Sequence, residues 1–147
     1  MNECLEIQGP CTLNGTVRVS GAKNAAVALI PASILSDEEV TICNVPEISD
    51  IASLEEILKF LNVKVSRATE SIIINAKEMV NKEIPENISR KLRASYYFMG
   101  ALLSKYKKVE IYFPGGCNIG SRPINLHLEG FKKLGATINE ENDKYTI

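Results

Sequence analysis

Moved forward by 73 residues, the stretch KFLNVKVSRATESIII falls without a gap on KKLGATINEENDKYTI at the end of the chain. Lys59, Leu61, Val65, Ile72 and Ile74 land on Lys132, Leu134, Ile138, Tyr145 and Ile147. A fixed period of this kind means two copies of one supersecondary unit, each burying its apolar face against a neighbour. The strand ahead of it, Val40-Thr41-Ile42, matches Val109-Glu110-Ile111 only at a shift of 69. The second copy therefore carries four additional residues, 73 − 69, between that strand and the next helix.

Period and punctuation give the elements. Residues 4–8 and 16–19 alternate as short strands about a turn at Asn14-Gly15. Residues 22–35 read as a buried helix that Pro31 should kink or divide. A strand at 40–43, ended by Asn44-Val45-Pro46, precedes a helix over 50–61 with Leu54, Ile57, Leu58 and Leu61 on one face. Residues 63–65 and 72–74 form a hairpin. The order then recurs: a helix over 89–104, a strand over 109–113, a helix over 124–134, and a hairpin from 136–138 and 145–147. This is an α/β pattern.

A chain of 147 residues, 45% apolar and 24% charged, fits one globular domain. Its net charge of −1 points to neither nucleic acid nor an anionic membrane, so any bound anion must be held by local cations. Cys4, Cys11, Cys43 and Cys117 show no ligand spacing and His127 is the sole histidine, which argues against a metal site. The thiols read as free, as in a reducing cytoplasm, and Cys43, ending an apolar strand, should be buried. The first residues have no leader pattern, and the longest apolar-rich stretch, 25–35, is too short to insert across a bilayer.

The four additional residues lie in a glycine-rich loop, PGGCNIGSRP. Glycine lets backbone amides approach a ligand, and a proline opening a helix leaves first-turn amides free for an anion. Arg122 adds a two-pronged donor, and Cys117 a thiol suited to proton donation in a cationic setting. A tight turn with an incidental cysteine fits the loop as well. In VSGAKNAA, Lys23 opens a helix, where the helix dipole disfavours a cation unless an anion meets it; a solvated lysine is the plainer alternative. Arg90 and Arg93, three apart, read as a basic helix face, His127 as a structural polar residue, and Asp50 as a first-turn acid.

SGAKNAA, NVPEISDI, KLRAS and FPGGCNIGSRPINLHLEGFKKLGA, in this order and spacing, resemble the UDP-N-acetylglucosamine 1-carboxyvinyltransferases over essentially the whole chain. These enolpyruvyl transferases begin bacterial peptidoglycan precursor synthesis. 5-Enolpyruvylshikimate-3-phosphate synthases share the fold but would not be expected to carry the cysteine loop or SGAKNAA. The resemblance implies an inside-out α/β barrel of the enolpyruvyl transferase type, with two domains each built from three βαβαββ units. It makes this chain an N-terminal portion. Residues 1–21 would be leading strands that pack with the second domain, and residues 22–147 the first two units of the first domain, the third unit and the second domain being absent.

The implied reaction transfers the enolpyruvyl group of phosphoenolpyruvate to the 3′-hydroxyl of UDP-N-acetylglucosamine and releases phosphate, with no cofactor, in the bacterial cytoplasm. The alternative is a truncated, non-catalytic homologue that binds sugar nucleotide or a partner chain. By the resemblance, Lys23 contacts phosphoenolpyruvate and Asn24 the sugar nucleotide, while Arg93 and Arg122 hold anionic groups. Cys117 handles a proton and is the residue that fosfomycin alkylates. Pro123, Ile124, Asn125 and Leu126 cradle uracil, with Asn125 standing where the family often has aspartate. The carboxylate base and a further arginine would come from the second domain.

Overall fold

Strand pairing reproduces both sequence shifts. The computed structural model describes residues 4–115 and 123–147. In its first sheet β1 (Val40–Cys43) and β2 (Lys64–Ala68) flank β3 (Ser71–Asn75), all antiparallel. Val40 faces Ile74, and Ile42 faces Ile72. In the second sheet β4 (Glu110–Tyr112) and β5 (Asn139–Glu141) flank β6 (Lys144–Thr146) in the same order. There Ile111 faces Tyr145, and Val109 and Ile147 exchange two backbone hydrogen bonds of 2.9 Å. Each of these pairs is the first-sheet pair carried forward by 69 on one strand and 73 on the other.

Helices pack against these sheets and against one another. In α2 (Ser49–Phe60), Ile51, Leu54, Ile57 and Leu58 recur at helical spacing and are fully buried. Asp50 in its first turn and Lys59 in its last both suit the dipole, and Asn62, at φ 63°, turns the chain out of it. Helix α1 (Lys23–Ser33) lies against both α2 and α4 (Tyr97–Tyr106), burying Ile30 and Ile34 beside Phe98, Met99 and Leu102. Lys105 joins the copies by donating to the Ile34 carbonyl and pairing with Asp37 at 2.8 Å. Helix α5 (Asn125–Lys133) buries no residue of its own.

Five expectations need correction. Residues 4–20 enter no sheet, and Leu5, at 95% exposure, Ile7, Leu13, Val17 and Val19 face solvent. Alternation favours a strand only where a partner edge completes its hydrogen bonds. Pro31 does not divide α1, because it falls in the last turn and the helix ends two residues later. Cys43 is exposed, since it takes the outward place in the period-2 pattern of β1.

The helix expected over 89–104 is three pieces: α3 (Glu86–Ser89), a 3₁₀ turn (Arg93–Tyr96) and α4. Leu92 is extended between them at φ −142°, ψ 128°. Buried Ser89 and Ser95 explain the break. Ser89 Oγ donates to the Tyr112 carbonyl at 2.6 Å and Ser95 Oγ to the Ser89 carbonyl at 3.0 Å, so side chains replace the helical ladder. Finally, β5 starts three residues later than its expected arm, because Asn142 and Asp143 both take positive φ and fix a two-residue turn opposite Glu141 and Lys144.

Two glycines are set by close approach. A Cβ on Gly21 would lie 1.7 Å from the Asn44 carbonyl oxygen, so the start of α1 abuts the end of β1. A Cβ on Gly115 would lie 1.9 Å from the Arg90 carbonyl oxygen, which seats the chain after β4 against the turn before Arg93. No helix among the described residues is long and apolar enough to cross a membrane.

Candidate functional site

The first turn of α1, the first turn of α2 and the 3₁₀ turn converge on an open pocket of about 370 Å³. Lys23 and Asn24 reach it from α1, Asp50 from α2, and Arg93, Tyr96 and Tyr97 from the turn and the start of α4. Three residues singled out in the sequence, Lys23, Asn24 and Arg93, thus line one cavity.

Charge in the pocket is distributed unevenly. No acid lies in the first turn of α1, yet Lys23 Nζ is in contact with Asp50 Oδ2, brought from the first turn of α2. The sequence showed no carboxylate near Lys23; the fold supplies one. Lys23 is 54% exposed and Asp50 only 23%, so the acid is the better seated of the two. Arg93 has no salt bridge among the described residues and sits over the Tyr96 ring, 5.9 Å from its centroid. Its neighbours Arg90 and Lys91 differ: Arg90 pairs with Glu86 and Asp143 at 2.9 and 2.8 Å, and Lys91 with Glu56 at 2.7 Å. The expected basic face therefore divides into surface pairs and one arginine turned to the pocket.

Tyr96 joins the aromatic groups beside the site. Its ring stacks on Tyr97 at 4.5 Å and meets His127 at 4.9 Å. Burial, with the Tyr97 hydroxyl beside it, pushes the Tyr96 phenol up to about 12, so it stays neutral at physiological pH. His127 belongs to α5, and this stack ties the start of that helix to the pocket. Beside it Ile124 is buried, whereas Pro123, Asn125 and Leu126 are exposed. Sequence reasoning missed Asp50 and the two tyrosines as pocket residues. A first-turn acid and a Tyr-Tyr pair at the head of an apolar helix have ordinary packing explanations, and no local signal marks them.

Cys117 and Arg122 lie outside the described residues. The positions flanking them do not. Gly115 packs on Arg90, three residues before Arg93, and Ile124 is buried three residues before His127. Both flanks are therefore tied to segments that line the pocket or stack on it. Two cations against one acid, with an amide and two tyrosines beside them, leave the pocket net positive, which suits an anion bearing several oxygens.

The family described as EPSP synthase (3-phosphoshikimate 1-carboxyvinyltransferase) matches residues 7–147. The chain is 48% identical to UDP-N-acetylglucosamine 1-carboxyvinyltransferase 2 of Bacillus subtilis, over 95% of this chain and 32% of that protein. It is 50% identical to the enzyme of the same name from Oceanobacillus iheyensis, over 93% of this chain and 32% of that one. With UDP-N-acetylglucosamine 1-carboxyvinyltransferase 1 of Staphylococcus haemolyticus it shares 46% identity over 96% of its length and 33% of the relative's. The chain spans about a third of the length of these relatives. Among solved structures, the enolpyruvyl transferase NikO from Streptomyces tendae superposes with a TM-score of 0.76 at 23% identity, over 91% of this chain and 29% of NikO. That likeness is one of fold.

Proposed function

The chain belongs to the EPSP synthase (3-phosphoshikimate 1-carboxyvinyltransferase) family, and from that premise we propose that it is the N-terminal portion of a UDP-N-acetylglucosamine enolpyruvyl transferase. The observation that carries the proposal is the convergence of Lys23, Asn24 and Arg93 on one pocket from two distant segments. In this reading Lys23 holds the phosphate-bearing substrate, Asn24 the sugar nucleotide, and Arg93 and Arg122 anionic groups of both. Residues 123–126 lie along uracil. Cys117 supplies the proton.

The chemistry follows from those roles. The acceptor's 3′-hydroxyl oxygen adds to C2 of phosphoenolpyruvate while C3 takes a proton. A proton is then lost from C3, the double bond re-forms and the C2–O bond to phosphate breaks. Positive charge developing at C2 and negative charge on departing phosphate both favour fixed cations beside a proton donor in a place closed to water. The carboxylate base belongs to the part of the enzyme beyond this chain.

In the same reading the two sheets and their helices are two βαβαββ units of an inside-out α/β barrel, and a third unit follows. An asymmetry between the copies supports this. Ile34, Leu58 and Leu61 are fully buried, with α4 lying over α1. Their counterparts, Leu103, Phe131 and Leu134, line an open groove of about 440 Å³ between α4 and α5, and Leu134 is 86% exposed. The exposed apolar side chains of residues 4–20 are likewise suited to a second domain.

The test is acceptor dependence in the protein extended through the remaining two-thirds of its relatives' length. Phosphate release from phosphoenolpyruvate should require UDP-N-acetylglucosamine and should not occur with shikimate 3-phosphate. Release with shikimate 3-phosphate alone would overturn the proposed acceptor.

A further inference from the structure

We propose that Asp50 is a resident counter-ion that holds Lys23 until a phosphate-bearing anion arrives and then gives it up. This rests on the reading of the pocket as an anion site and adds a competing group within it. Lys23 sits where the α1 dipole works against its charge, so an unmatched ammonium there would swing into water. Asp50 answers that charge from α2, and its own position does not depend on Lys23. The first turn of α2 favours a carboxylate in any case, and its side chain is more than three-quarters covered. Release of the pair leaves Asp50 to the favourable dipole of α2, but its cover makes an unpaired carboxylate there costly, so the lysine passes to a ligand only against that cost.

The count of charges points the same way. Two cations and one acid line the pocket, for a net charge of +1. Lys23 is already matched, whereas Arg93 has only an aromatic partner among the described residues. An incoming anion thus meets one available cation, must draw the second from Asp50, and then lies near a carboxylate that repels it. A half-exposed ion pair together with one short-range repulsion lowers anion affinity by a factor of roughly three to ten.

The experiment is a titration of the 147-residue chain with inorganic phosphate and with phosphoenolpyruvate, followed through the backbone amide NMR signals of Lys23 and Asn24. Asp50→Asn should bind both anions about threefold to tenfold more tightly at low salt, and the gain should shrink as salt rises. Lys23→Ala should weaken binding, with or without the second change. Damage to the fold weakens binding, so a gain in affinity cannot arise from it. If Lys23→Ala weakens binding while Asp50→Asn leaves it equal or weaker, Asp50 is not a competitor and this proposal fails, though the anion site stands. If Lys23→Ala binds both anions like the wild type, the anion site and the proposal fall together.

Discussion

Purified alone, the 147-residue chain is expected to release no measurable phosphate from phosphoenolpyruvate in the presence of UDP-N-acetylglucosamine. The pocket explains the size of the effect. Lys23 is more than half exposed, so its charge acts through water rather than in an enclosed site, and water weakens every such contact. A positioned base contributes about 10²–10⁴ in rate, and a single preorganised electrostatic contact about 10²–10³. Loss of the base and of enclosure together should reduce turnover by about 10⁴ or more. A coupled phosphate assay on the chain and on its extended form checks this. Acceptor-dependent release by the chain alone would show that no part of the chemistry needs further sequence.

In the extended enzyme, Lys23→Ala and Arg122→Ala should each lower kcat/KM for phosphoenolpyruvate about tenfold to a hundredfold. Each removes a charge-assisted contact worth about 1.5–3 kcal/mol. Lysine at position 122 should recover only part of the loss, because a point charge cannot reproduce a two-pronged contact. For Lys23 the fold should be almost indifferent. The residue is exposed and its pair with Asp50 is a half-solvated one, so its removal should change stability by less than about 1 kcal/mol. Steady-state kinetics beside thermal melts would separate the two effects. Wild-type kinetics in both variants would return Lys23 to the status of a solvated cation.

Much of the fold was legible because apolar period and strand register are linked. Once Val40 is matched to Val109 and Ile74 to Ile147, the pairing of each sheet follows, and the structure has both pairs. Helix α2 was legible for the same reason, its apolar face having a single interpretation. What escaped depended on partners outside the local pattern. Residues 4–8 and 16–19 alternate as short strands would but find no edge to pair with. The run 89–104 has helical composition, yet two buried serines take over its backbone bonds. Cys43 was misread because a four-residue strand has an outward face even when it is apolar.

The site was legible in part. Its cations could be picked out residue by residue, and Lys23, Asn24 and Arg93 do share a pocket. The ion pair to Asp50 and the Tyr96–His127 stack could not be read, because each joins segments whose approach only the tertiary fold creates. Cys117 and Arg122, in the glycine-rich loop, lie outside the described residues.

In this reading the glycine-rich loop and the Lys23 pocket are parts of one site shaped for phosphoenolpyruvate. Fosfomycin tests it directly, being a phosphonate whose epoxide a thiolate opens, forming a C–S bond while the ring oxygen takes a proton. The measurement is peptide mass mapping of the extended enzyme after exposure to fosfomycin, with and without Lys23→Ala. A single adduct on the peptide bearing Cys117, strongly reduced by Lys23→Ala, is the expected result. Equal modification of Cys4, Cys11, Cys43 and Cys117, or labelling of Cys117 that ignores the loss of Lys23, would contradict it.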